Sequence, residues 1–542
     1  MSKWFKTGEH WIWLNAGALA VSMVMVVGLL MLIAIRGLGH FWPAEVVQIQ
    51  YNNDGKQEMI LAEVVEQETK YVGDPDNGGQ LETSTLLKIG NREAFGLDFR
   101  WIKEPNVIEQ TVPQHAVVLE RHEWGNFYGM FDSATRAGQT VKGIESWDTV
   151  QDWIAEAIEM HEEIKSIEKV DIGIVNGAIE NLRLKERGYI LDEALTEERK
   201  ANLKAKRAEL DAEYEEIMVE LNKRYAALKA AGEINFQIST GEIRTIQIKE
   251  IVHAFMPNNM SLGDKLGHYF TKAWEFVSDD PREANTEGGI FPAIFGTVMM
   301  VFLMTILVTP FGVIAAVYLR EYAKQGPVVR MIRISVNNLA GVPSIVFGVF
   351  GLGFFVYFLG GSIDELFFRE ALPSPTFGSP GLLWASLTLA LLTLPVVIVS
   401  TEEGLARIPQ AVREGSLALG ATKIETLWRT VLPMASPAIM TGLILAIARA
   451  AGEVAPLMLV GVVKLAPDLV VDMTAPFIHL DRQFMHLGFH IYDVGFQSPN
   501  VEAARPLVYA TALLLVLVII GLNLAAIFIR NRLREKYRSL EH

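Results

Sequence analysis

A chain of 542 residues that is 50% apolar and yet carries a net charge of −15 cannot be one uniform soluble domain; its greasy and charged parts have to be segregated along the sequence. Cysteine is absent, which excludes a disulfide framework and any thiolate metal site.

In chain order, Lys3 and Lys6 precede the first uncharged run, Trp11 to Ile35. The run exceeds the roughly 20 helical residues that cross a bilayer. A cleaved signal peptide would have a shorter apolar region and a small-x-small site after it, and neither is present. Trp11, Trp13, Phe41 and Trp42 read as interfacial belts at its ends.

From residue 36 to 289 the composition changes. This stretch holds 28 Lys plus Arg and 46 Asp plus Glu, a net of −18, and leaves the rest of the chain at +3. So acidic a surface repels anions at long range and does not read as an anion trap. Glu45 to Tyr51, Glu58 to Val65, Ala116 to Glu120 and Ile243 to Ile251 look strand-like. Ser146 to Ala231 reads as helix, with Leu203, Leu210, Tyr214, Ile217, Leu221 and Leu228 recurring at three, four or seven residues. The expectation is a helical hairpin on a small α+β base. The hairpin is either a partner-binding arm or a pair packed on itself, and the self-packed form is favoured. Asp279 to Gly289 reads as a linker back into apolar sequence.

Four more uncharged runs follow: Gly288 to Leu319, Ile334 to Ile363, Ala371 to Thr401 and Pro506 to Ile529. Thr430 to Val463 is a fifth, interrupted only by Arg449 and Glu453. Pro310, Pro343, Pro395 and the glycines 341, 348, 351 and 353 mark these runs as members of a packed bundle around a pathway. Six spans place Lys3, Lys6, Arg320, Lys324, Arg330, Arg333, Arg407, Arg413, Lys423, Arg429 and the basic tail Arg530, Arg532, Arg534, Lys536 and Arg538 on one side. By the positive-inside rule that side is the cytoplasm, with both termini inside and residues 36–289 outside. The expected division is 1–40 (N-terminus and first span), 41–287 (external insertion), 288–530 (five-span core) and 531–542 (basic tail). The fold class is an all-α polytopic membrane core with an inserted α+β domain.

The loop 402–433 between the fourth and fifth spans carries the clearest pattern. Glu414 is followed by small Gly415 and Ser416, then by Gly420 six positions on, and by Leu432-Pro433 eighteen and nineteen positions on. A short helix, a turn that glycine permits and a second helix would make a rigid knob on the inner face. In the fifth span, Arg449 and Glu453 stand four apart and can pair across one helix face. A charge at that depth faces a partner or a pathway. A planar guanidinium suits an oxyanion, and a purely structural ion pair is the other reading. His486 and His490, also four apart, offer a metal face but lack a third ligand in clear spacing. No Gly-x-x-x-x-Gly-Lys-Ser/Thr loop occurs, so the chain has no element of its own to cradle a nucleotide.

The loop register of Arg413, Glu414, Gly415, Ser416, Gly420, Ala421, Thr422, Leu432 and Pro433 resembles the cytoplasmic signature of permeases of ABC importers. It departs where the family has two alanines (Gly415, Ser416) and an aliphatic residue (Thr430). The stretches Pro310 to Tyr322, Ser335 to Gly348 (with Asn337, Asn338 and Ser344) and Ala448 to Leu457 resemble the PstA-type phosphate permeases. The resemblance covers the first span and about Gly289 to Arg530, not the insertion. Relatives often carry Arg before the Thr-Glu that ends the fourth span, whereas Ser400 precedes Thr401-Glu402 here.

The resemblance implies a type I importer permease in a bacterial inner membrane. It implies a heterodimer with a homologous PstC-type permease, two copies of an ABC ATPase, a periplasmic phosphate-binding protein and, in some bacteria, a phosphate-sensing histidine kinase. The knob would dock on the ATPase, which uses ATP and Mg, while this chain binds no cofactor. Arg449, Glu453, Asn337, Asn338, Ser344 and Thr401 would line the pathway. No nucleic acid is expected among the partners. A permease for another oxyanion, such as phosphonate or sulfate, and a membrane signalling scaffold are the rival readings.

Overall fold

The structure, a computed structural model, describes residues 7–53, 55–72, 80–498 and 501–537. Lys3, Lys6 and Arg538, which entered the charge argument, lie outside them. Among the described residues six helices are long and apolar enough to cross a membrane: Glu9–Gly39, Phe291–Tyr322, Ser344–Phe367, Leu382–Arg407, Lys423–Gly452 and Ala504–Lys536. These are the six runs expected from hydropathy.

The fourth span is the hub, packed against the second and the fifth; the fifth packs on the sixth, and the sixth on the first. Met300, Met304 and Val308 meet Leu389 and Val397 and then Leu443, Ala446 and Ala450 in one core. Small residues let the fourth and fifth helices approach closely. A Cβ on Gly442 would stand 2.6 Å from that of Ser400, and one on Gly404 2.5 Å from that of Ala438. The two helices therefore run antiparallel in van der Waals contact of their backbones. The first span leans on the rest chiefly through Gly37, against the Tyr509 carbonyl, and is otherwise bare.

Two of the expected runs end differently. Pro327–Leu339 forms a helix of its own, and the third span begins only at Ser344 after a turn closed by Gly341 N–H on the Asn338 carbonyl, 3.0 Å. Arg330 and Arg333 keep the first piece from entering hydrocarbon, and Pro343 disfavours helical backbone at the residue before it. The fifth span stops at Gly452. Glu453 is extended (φ −82°, ψ 132°), and Pro456 leads into a short helix, Leu457–Val460. That returning segment is seated in the third span, where a Cβ on Gly348 would stand 2.7 Å from Pro456 Cα.

The insertion holds far more sheet than the four strands expected. Its strands are β1 (Val46–Asn53), β2 (Lys56–Val72), β3 (Gln80–Lys88), β4 (Phe99–Lys103), β5 (Val107–Thr111), β6 (Ala116–Arg121), β7 (Phe127–Arg136), β8 (Gln139–Lys142), β9 (Glu233–Gln237), β10 (Ile243–Gln247) and β11 (Ile251–Phe255). One antiparallel sheet has the order β4-β3-β2-β1-β5 and the other β10-β9-β7-β6-β11, with β8 on β7. All-α therefore describes the membrane part only. The expected single strand Ile243 to Ile251 breaks at Ile248–Glu250, and its halves lie on opposite edges of the second sheet. Of the strands missed, β3 (QLETSTLLK) is largely polar and shows no apolar run to read, whereas β7 opens on a legible one, FYGMF.

The hairpin is Trp147–Leu191, widened by a π turn at Ile167–Asp171, followed by Glu197–Lys229. Its base packs Val150, Trp153, Ile154, Leu221 and Leu228 onto the second sheet. Further out its helices hold each other: Tyr225 Oη donates to Glu168 at 2.6 Å, and the Arg199 guanidinium lies 4.8 Å from the Tyr189 ring centroid. Within this chain the two helices pack on each other. Asp279 to Gly289 is not a loose linker. Pro281–Arg282 pairs with Glu287–Gly288, Gly125 N–H donates to Glu283 at 2.9 Å, and Asn285 Nδ2 donates to the Lys464 carbonyl at 2.6 Å. The insertion is thus fastened to the loop that follows the fifth span.

One half-buried contact gives the insertion a pH-dependent stability. His122 and His161 stack with ring centroids 4.0 Å apart. Burial, then the charges of His161, Arg282, Lys165 and His253, lower the His122 pKa from 6.5 to about 4. The unfolded chain takes up that proton near pH 6.5, and the folded chain only near pH 4, so stability is lost as pH falls through this window. Thermal unfolding of the full chain should show a lower Tm at pH 5 than at pH 7. His122→Asn should reduce that difference, and a wild-type Tm independent of pH would refute the account.

Candidate functional site

The fifth span positions the first constellation. Arg449 sits in its last turn and Glu453 just past its end, where the helix breaks, so the two do not share a helix face as expected from the sequence. They pair nonetheless, Arg449 Nε to Glu453 Oε1 at 3.6 Å. The Arg449 side chain is 33% exposed and that of Glu453 21%. The guanidinium makes no other hydrogen bond or ion pair among the described residues, which leaves most of its five donors for a ligand.

Among the described residues, none of the other expected pathway residues hydrogen-bonds to Arg449 or Glu453. Thr401 is fully buried beside Ser400, which faces Gly442 of the fifth span. Arg449 is seven residues beyond Gly442, so Thr401 lies about 10 Å lower along the axis at 1.5 Å per residue. Its Oγ1 has no hydrogen-bond partner among the described residues. Asn337 and Asn338 are exposed at the end of the separate helix Pro327–Leu339, and Ser344 opens the third span. The helix that Ser344 opens is the one that seats Pro456, three residues past Glu453, through Gly348.

The His486 and His490 pair noted in the sequence flanks Glu453, a placement that spacing alone did not show. Gly488 packs against Val454, where a Cβ would stand 2.6 Å from Val454 Cγ2, and this brings His486 and His490 beside the break. Both imidazoles are buried (1% and 2% exposed), and burial lowers each pKa to about 4, so both are neutral at pH 7. Asp493 Oδ2 and Lys464 Nζ close the same loop at 3.1 Å. No group of three His, Cys, Asp or Glu side chains among the described residues could hold a metal ion. The signal available in the sequence was the His-x-x-x-His-x-x-Asp spacing, which hydropathy alone cannot weigh.

The second constellation is the loop after the fourth span. Gln410–Ala418 is a helix, Gly420 turns the chain at φ +87°, and Thr422 caps the next helix. The Thr422 hydroxyl accepts from Glu425 N–H at 3.3 Å, and Glu425 Oε2 accepts from Thr422 N–H at 2.9 Å. Ser416 and Thr426 hydroxyls close the knob at 2.9 Å. Arg413 points inward: Nη2 donates to Glu321 Oε1 at 2.9 Å and to the Leu405 carbonyl at 2.8 Å, and Nη1 to the Ile408 carbonyl at 2.6 Å. Lys423 donates to the Glu321 carbonyl and lies 4.4 Å from the Tyr322 ring centroid. Arg333 Nε donates to Glu402 at 3.3 Å. The knob is therefore clasped to the ends of the second and fourth spans through Glu321, whose importance only the structure reveals. Its far side presents Glu414, Leu417, Leu419, Ile424 and Trp428 to solvent, Leu419 at 91% exposure. Leu432-Pro433 begins the continuous helix back into the membrane.

Residues 308–539 match the model of the family described as binding-protein-dependent transport system inner membrane component. The chain is 37% identical over 239 residues to the phosphate transport system permease protein PstA of Mycobacterium leprae, covering 44% of this chain and 69% of that protein. It is 36% identical over 244 residues to PstA 1 of Mycobacterium tuberculosis, covering 45% and 71%. An inward-facing structure of the MetNI methionine ABC transporter aligns with 44% of this chain and 94% of that one, at 18% identity and a TM-score of 0.32.

The turn at Gly420 is directly testable. Left-handed backbone costs an L residue about 1–2 kcal/mol, and more for a β-branched one. Nothing lies within 4 Å of the added Cβ. Gly420→Val should therefore loosen the knob through backbone strain alone. Limited proteolysis within 410–430 should accelerate while the spans still insert; an unchanged cleavage rate would show that the turn tolerates the side chain.

Proposed function

This chain belongs to the PstA-type permeases among binding-protein-dependent transport inner-membrane components and is a membrane subunit of an ATP-driven phosphate importer; on that premise we propose that Arg449 contacts the passing phosphate and that the loop 402–433 couples the chain to a separate ATPase. A second permease, an ATPase and a substrate-binding protein complete such an importer. We take the second permease to be a PstC-type homologue, the ATPase to be present in two copies using ATP and Mg, and the binding protein to deliver phosphate. A phosphate-sensing histidine kinase is a further expected contact. The basic end of the bundle then faces the cytoplasm, and the inserted domain faces the periplasm.

The observation that carries the substrate reading is the Arg449 guanidinium. It is held by one long contact to Glu453 at the break of the fifth span, with its remaining donors unpaired among the described residues. An arginine fork in a partly desolvated site donates charge-assisted hydrogen bonds to a phosphate oxygen. Glu453 positions it and can accept from a protonated phosphate. The coupling reading rests on the clasp through Arg413, Glu321 and Lys423. A push on the knob's exposed apolar side is transmitted to the ends of the second and fourth spans without passing through a flexible segment. Closure of the ATPase pair would shift the bundle between two arrangements, each opening the pathway to one side.

Arg449→Gln should cut phosphate uptake about tenfold to a hundredfold, since a charge-assisted hydrogen bond is worth about 1.5–3 kcal/mol. Glu453→Gln added to it removes the unpaired carboxylate. If the pair is only structural, the double variant regains both complex yield and uptake. If Arg449 contacts phosphate, yield recovers and uptake does not. Full uptake by the double variant refutes the phosphate contact.

A further inference from the structure

The helix Leu262–Ser278 has its charges on the wrong side for a helix in water. Lys272 Nζ turns inward to Glu120 at 2.7 Å and to Glu275 at 2.8 Å. Glu275 meets His253 at 3.0 Å. Lys265 turns toward Glu45 at 3.9 Å, and Asp264 closes the capping box on Ser261. The face left open carries Leu262, Leu266, Phe270 and Trp274, spaced four apart and 75%, 49%, 68% and 70% exposed. Gly263, Gly267 and Thr271 are exposed beside them, so the open face is uncharged apart from Asp264 at its N-terminal edge. Exposed leucines scattered singly need no explanation, but a four-residue row on one helix does.

The position of the helix identifies what covers that row. Its C-terminal turn is fastened to the domain-bearing ends of three spans. Phe276 lies in a core with Ile290 and Ala293 of the second span and Ala504 and Leu507 of the sixth. Its carbonyl accepts from Ile290 N–H at 2.9 Å. At the end of the first span, Phe41 stands 5.1 Å from Phe276 and 6.0 Å from Tyr269 between ring centroids, and Trp42 stands 6.3 Å from Tyr269. The helix therefore sits at the level where the bare first span leaves the membrane. Its open face continues the lipid-facing surface of that span and of its aromatic belt.

We propose that Leu262–Ser278 is an interfacial helix. Leu266, Phe270 and Trp274 insert into the lipid headgroup boundary on the domain-bearing side, and the inserted domain is thereby held at a fixed height and tilt on the membrane. The inward ion pairs to Glu120 and His253 tie β6 and β11 to this anchor, so the domain cannot swing freely on its two chain connections.

The chain lacks cysteine, so single cysteines at Leu266, Phe270, Trp274 and, as a water-exposed reference, Val219 can each carry a nitroxide in the full-length protein. The protein is placed in phosphatidylethanolamine–phosphatidylglycerol bilayers, alone and with its partner subunits. Collision with oxygen, which concentrates in lipid, should exceed collision with a water-soluble nickel chelate at 266, 270 and 274. The order should reverse at 219. Labels at 270 and 274 that behave like the one at 219 would place the face in water. Labels shielded from both reagents only when the partner subunits are present would make it a protein interface. Either result overturns the proposal.

Discussion

Hydrocarbon solvates neither a charge nor an unpaired amide, and nearly every feature of this chain answers to that constraint. It confines the membrane part to helices that are free of charge over long windows and sends the acidic residues into one inserted domain. It also explains why Pro327–Leu339, with Arg330 and Arg333, leaves the third span, and why the fifth span ends where Glu453 begins. A charge that does remain at depth, such as Arg449, is then conspicuous because the surrounding sequence has no need of it.

The same constraint shapes the two ends of the bundle. At the basic end, Glu321 is only 12% exposed and is neutralised by Arg413, which also donates to the carbonyls of Leu405 and Ile408 at the end of the fourth span. The clasp thus satisfies a helix end and fixes the knob in one arrangement. At the other end, Asp364 is buried and accepts from the backbone N–H groups of Phe377 and Gly378 at 2.9 and 2.7 Å, which folds the connecting loop back onto the third span. Both devices use one charged side chain to order several backbone groups.

The inserted domain is joined to the loop between the fifth and sixth spans at more than one point. Asn285 holds the Lys464 carbonyl, Lys464 pairs with Asp493, and Gly177 of the hairpin lies against Thr474 in the same loop, 3.7 Å from a Cβ placed there. The loop between the fifth and sixth spans therefore couples to the insertion on one side and to the segment bearing Glu453 on the other.

The sequence by itself determined the six spans, the knob with its positive-φ glycine, the absence of a nucleotide loop and the isolation of Arg449 with Glu453, because each is written in hydropathy or spacing over a few neighbouring residues. Only the tertiary structure decided the rest. The partly polar strand β9 finds one of its two partners, β7, about a hundred residues earlier in sequence. Ile243 to Ile251 splits between two sheet edges because its neighbours there are β9 and β6. Arg413 is an inward clasp because Glu321, ninety-two residues earlier, is brought beside it. Thr401 lies apart from Arg449 because height along a bundle depends on how antiparallel helices are set against each other. Local patterns do not encode which distant group receives a hydrogen bond or shields a face from water, and those choices placed the site.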